Sequence, residues 1–187
     1  MKFSSRELID LGKAWLAISV AFSVLLTGSL DFITGFIIAG ITVGSGFLLH
    51  ELAHKMLAQK YHCFAEFRSF DIMLILAVLM SFFGFIFVAP GAVMISGNIN
   101  REKNGKISLV GPLTNIVLAI IFLGVSFSPL EIIKTIGSYG FIINSWLAIF
   151  NLIPLWQFDG RKVYDWNKSI YFLALISAVF VMVLGYI

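Results

Sequence analysis

Six apolar stretches divide the chain, at residues 14–30, 32–57, 72–89, 112–128, 136–155 and 169–187. Each approaches or exceeds the length of about 18 residues at which an apolar helix becomes a candidate membrane span. Short polar links separate them. The pattern predicts an all-α polytopic membrane protein with about five to six transmembrane helices. The second stretch is long enough for its helix to continue past the membrane surface toward Tyr61. The first is long enough to span and shows no obvious small-residue cleavage site, so it is expected to be a retained helix and not a signal peptide.

The third stretch is the exception. Ser81-Phe82-Phe83-Gly84 interrupts it, and β-prone segments at 85–89 and 91–95 flank a Pro90-Gly91 turn. These two arms read as a small hairpin. Strands in a bilayer must be shielded by protein, because lipid cannot satisfy their backbone groups. A second turn signal, Asn104-Gly105, precedes 106–110, and Pro112 suits the first turn of the next helix.

Charge decides how the third stretch runs. If all six stretches cross, seven basic residues face one side and six the other, which gives no orientation. If 72–89 enters and leaves on one side, Lys134 alone faces outward and the other twelve face inward. The positive-inside bias favours the second arrangement. The expected topology is five spans plus one re-entrant element, N-terminus cytoplasmic, in what the minimal size suggests is a prokaryotic plasma membrane.

Composition narrows the class further. The chain is 59% hydrophobic and 12% charged, with mean hydropathy +0.97, which leaves almost nothing for a soluble domain. Its 187 residues suit one membrane-embedded domain, 1–187, with a core at about 32–166 and peripheral helices at 14–30 and 169–187. A single cysteine, Cys63, excludes an internal disulfide and a multi-cysteine cluster. The net charge of +3 is scattered between apolar runs, so no nucleic-acid face is expected.

The chemistry sits in the second stretch, at His50-Glu51-Leu52-Ala53-His54. Histidines four apart leave one face of a helix and can ligate one metal ion. Glu51, directly after the first, can reach a metal-bound water. The plainer reading is two helix-end histidines, with Glu51 paired to Lys55 at i, i+4. Ionisable groups in a membrane are costly, however, and usually functional. A catalytic zinc site takes a third protein ligand and keeps one open position. The re-entrant topology brings the end of the fifth stretch to the same side. There Pro154 stops the helix and Asp159-Gly160 follows, so Asp159 is the expected third ligand.

Together, His50-Glu51-x-x-His54 and Asn151-x-x-Pro154-x-x-x-x-Asp159-Gly160 resemble the site-2 protease family of intramembrane zinc metalloproteases. Gly111-Pro112-Leu113-Thr114-Asn115 resembles a third signature of that family. The resemblance covers about residues 32–166. It implies one zinc ion per chain on His50, His54 and Asp159, Glu51 as general base, and cleavage of transmembrane segments of other proteins. It also implies a small membrane-embedded sheet beside the site. The chain has no room for the inserted or appended domains that many members carry, so it resembles a minimal, core-only member.

Three asparagines are further candidates for contacting substrate backbone or the reaction oxyanion. Asn144 and Asn151, seven apart, share a helix face. For Asn144 the plainer reading is a hydrogen bond between helices, whereas Asn151 is favoured as functional. Asn115 is open between lining the site and packing. His62 reads as a solvated interface residue, and Trp15, Trp156 and Trp166 suit an interfacial belt. Two rival functions remain. A catalytically silent zinc-binding scaffold has no feature in its favour, and a metal transporter would show repeats or several polar helices along a path. Oligomeric state is not legible.

Overall fold

The computed structural model describes residues 2–86 and 89–185. Helix α1 (Ser5–Leu26) runs to a tight turn and is followed by α2 (Phe32–Ala39), one π-helical turn (Gly40–Gly44) and α3 (Ser45–Lys60). Then come β1 (Phe64–Ser69), α4 (Asp71–Ser81), β2 (Gly91–Ser96), α5 (Arg101–Val125), α6 (Glu131–Asn151), α7 (Asp159–Trp166) and α8 (Lys168–Leu184). Four helical stretches are long and apolar enough to cross a membrane: α1, the continuous 29-residue α2–α3 rod, α5 and α6. Two apolar helices, α4 and α8, are shorter. The protein is thus a mostly helical membrane protein with one small sheet.

The third apolar stretch forms no helix long enough to cross among the described residues. Helix α4 has 11 residues, about 16 Å at the helical rise, against an apolar core of about 30 Å. Strands β1 and β2 pair antiparallel from Phe64↔Ser96 to Ser69↔Gly91. The chain therefore leaves the sheet at Ser69 and returns to the same end at Gly91. Strand β2 lies where the second hairpin arm was expected, but its partner is β1. Of the first arm, 85–89, residues 87 and 88 lie outside the described residues. The signal for β1 is its alternation: Ala65 and Phe67 are buried, while Glu66 and Arg68 are more open.

Two further expectations are corrected. Asn104-Gly105 is not a turn, and Pro112 does not begin a helix. Helix α5 starts at Arg101, where the Asn100 side chain caps the Lys103 N–H. Gly105 sits inside it because Trp166 packs where a Cβ would be. The Trp15 side chain packs inward. Its indole N–H donates to the Gly40 carbonyl at 3.0 Å, and the ring lies over Gly40 and Gly44, where side chains would collide with it. The α1 helix is thereby keyed to the π-helical turn that precedes the histidine helix.

Helix α3 lies between α5 and the sheet. It packs against α5, β1 and β2, and α5 packs in turn on α6 and α7. The apolar core has one cluster around Phe141, Ala148 and Leu152 between α5, α6 and α8. Another, around Leu11, Ala14, Phe67 and Leu74, joins α1, β1 and α4. The histidines sit between these two bodies of packing.

Candidate metal centre

His50 and His54 occupy successive turns of α3, and both are buried. Asp159 opens α7, where a carboxylate also suits the positive end of the helix dipole. Its position follows from a tight return of the chain after α6. Asn151 ends that helix two residues before the position preceding Pro154. The Gly160 backbone then folds against the Leu152 backbone, so closely that no side chain fits at position 160. Asp159 thus arrives beside residues more than a hundred positions away in sequence.

The three ligand atoms converge. His50 Nε2 and His54 Nε2 are 3.0 Å apart. Asp159 Oδ2 is 3.2 Å from the first and 3.0 Å from the second. Gly111 of α5 forms the floor beneath them, and a Cβ there would occupy the same space as both Nε2 atoms.

Partners on the far side of each ring fix its proton. His54 Nδ1 lies 2.6 Å from the Ile107 carbonyl, which can only accept, so Nδ1 carries the hydrogen. His50 Nδ1 lies 2.6 Å from Asn115 Oδ1. That atom is the amide oxygen, because the other end of Asn115 donates to the Gly46 carbonyl at 3.3 Å and to Asn144 Oδ1 at 3.0 Å. Asn144 is oriented in turn by donating to the Gly140 carbonyl at 2.9 Å. In its neutral form each ring, with Nδ1 protonated, presents a bare Nε2 lone pair to a carboxylate oxygen.

With both rings neutral, three buried acceptors lie within 3.2 Å of one another, a repulsion that a cation among them would relieve. Ligand bonds of about 2.0–2.1 Å in a tetrahedral site would set the ligand atoms roughly 3.3 Å apart, close to the spacing found. Two imidazole nitrogens and one carboxylate are a donor set for zinc, with a fourth position left open. The carbonyl and amide partners behind the rings are the kind of support that orients metal-binding histidines.

Glu51 is buried beside this cluster. It does not pair with Lys55. Lys55 instead forms a fully buried ion pair with Glu7 of α1, which the sequence reading missed. Glu51 Oε2 accepts the Val93 backbone N–H of β2 at 3.0 Å. Among the candidate asparagines, Asn115 and Asn144 are fully buried behind His50, with their amides engaged as described. Asn151 is half-buried and donates to the Leu147 carbonyl. His62 is exposed, with a left-handed φ of 60° just past the end of α3.

No family model matches this chain, and no solved structure matches it. One curated protein does. It is named "Putative zinc metalloprotease MJ0611", from Methanocaldococcus jannaschii, and is 46% identical over 174 residues, 91% of this chain and 89% of that protein. With that identity over nearly the whole of both chains, the protein belongs to the zinc metalloprotease family of this archaeal relative.

Proposed function

We propose that the protein is an intramembrane metalloprotease of the site-2 type, with His50, His54 and Asp159 holding one zinc ion and Glu51 as general base. The observation that carries this is the convergence of three buried acceptors, two of them bare imidazole nitrogens, directly beside a carboxylate on the same helical turn. Bound zinc would supply Lewis acidity toward a scissile carbonyl and activate water for attack.

The chain's own residues do the rest. Asn115 and the Ile107 carbonyl hold both rings in the tautomer that leaves Nε2 bare. Gly111 keeps the space in front of them clear. Glu51 takes a proton from the attacking water and delivers it to the leaving amine. Asn151 is the asparagine most open to substrate in this reading, since it is half-buried whereas Asn115 and Asn144 are fully buried behind His50.

The substrate in this reading is a transmembrane segment of another protein. Its carbonyls are hidden in helical hydrogen bonds, so it must unwind before attack. Strand β2 lies beside the site through the Val93–Glu51 contact and can receive the extended chain by β-addition. The site faces the cytoplasm in this reading. Late α3, early α5 and α7 meet at one end of the bundle, and the sheet joins them there. Twelve of the thirteen basic residues fall on that side.

Metal content of detergent-purified protein tests the assignment. Wild type should hold about one zinc per chain, and His54→Ala and Asp159→Ala should lose it. Glu51→Gln should keep zinc and cleave nothing. Zinc that survives Asp159→Ala unchanged would remove that residue from the centre.

A further inference from the structure

Each strand of the sheet has one outward edge, and a buried glutamate occupies the middle of both. Phe67 and Val93 are register partners, yet neither donates to the other. The Phe67 N–H donates to Glu7 Oε1 at 2.9 Å, and the Val93 N–H donates to Glu51 Oε2 at 3.0 Å. They are therefore a non-hydrogen-bonded pair whose amides point away from the sheet. Gly91 and Ile95, two residues either side of Val93, point their backbone groups along the same outward edge.

The two plugs differ in what holds them. Glu7 is locked by Lys55. Glu51 has no Lys or Arg partner among the described residues, and its neighbours are the metal-centre groups. A strand cannot displace Glu7 without leaving Lys55 buried and unpaired, so the β1 edge is closed. The Val93 N–H is different, because it is the donor that a strand added along 91–95 would use. Glu51, once released, leaves no buried lysine or arginine unpaired behind it.

We infer that Glu51 is a substrate-displaced plug: in the resting enzyme its carboxylate occupies the Val93 N–H, and an extended substrate pairing along 91–95 takes that N–H and frees the base. This rests on the metalloprotease reading given above. It makes the base available only when an unwound segment is in place, which links catalysis to strand formation in the substrate.

The competition can be read without turnover, in metal-free protein. The probe is an uncharged, end-labelled octapeptide of alternating valine and threonine. Its affinity is measured for wild type, Glu51→Gln, Glu51→Ala and Val93→Pro, with exchange of the Val93 amide followed in ¹⁵N-valine-labelled protein. Glu51→Ala should bind the peptide about tenfold tighter than wild type, the size of one lost charge-assisted competitor. Its free Val93 amide should exchange faster and regain protection with peptide. Glu51→Gln, whose amide oxygen can still accept, should fall between. Val93→Pro removes the outward donor on an edge strand, along with some side-chain packing, and should lose peptide binding. Equal affinity in wild type and Glu51→Ala would overturn the inference, since Val93 would then simply position Glu51. Absence of peptide protection at 91–95 in every variant would overturn it as well. Failure of the wild type to bind zinc would instead sink the metalloprotease reading, independently of the edge competition.

Discussion

The two edges of the sheet carry the same side chain in the same geometric role, and only one belongs to the metal centre. At β1, Glu7 is fully buried and paired with a fully buried Lys55. At β2, Glu51 makes an equivalent bond to a backbone N–H but lies beside His50, His54 and Asp159. A buried carboxylate with its own cation is fixed in place, because removing either partner strands a charge in a medium that cannot solvate it. A buried carboxylate with no lysine or arginine partner among the described residues is held less firmly, because its movement strands no cation. The difference lies in the second partner and not in the residue.

The largest effect should come from breaking the structural side. Glu7→Gln leaves Lys55 buried without a counter-charge and should lower unfolding stability in detergent by about 3–5 kcal/mol. Glu7→Gln combined with Lys55→Met should recover most of that loss. A single variant as stable as wild type would show that the ion pair does not anchor α1 to the sheet. The next effect belongs to the metal-centre side. Asn115→Ala removes the acceptor that fixes the His50 tautomer and should weaken zinc binding by about 10–100-fold, while helix content is unchanged. Zinc affinity equal to wild type would mean that Asn115 only packs. The smallest effect sharpens the contrast directly. Glu51→Gln, the counterpart of Glu7→Gln, should change stability by less than about 1 kcal/mol, because it strands no cation and keeps an acceptor for Val93. A loss as large as that of Glu7→Gln would erase the distinction between the two edges.

Much of this was legible in the chain. The apolar runs gave the long helices, and the interrupted run gave a helix too short to span. The i, i+4 histidines fall on one face wherever the helix forms, since helical period alone decides that. Asp159 was readable because Pro154 ends a helix and Gly160 allows a close return. Strand β1 was missed because its Glu66 and Arg68 obscure the alternation of Ala65 and Phe67. The first turns of α5 were read as holding a turn because Asn104-Gly105 looks like a break. Trp166 packs where a side chain at 105 would be, so a glycine there serves close packing and not a turn.

The sequence by itself determined which groups can bind a metal and which segments prefer lipid, because both follow from side-chain chemistry and local period. Tertiary structure decided what each group faces. It gave Lys55 to Glu7 in place of Glu51, set Asn115 and Ile107 behind the histidine rings, and paired β2 with β1. Those partners come from elements far apart in the chain, and a buried polar group takes whichever partner packing brings within hydrogen-bond reach.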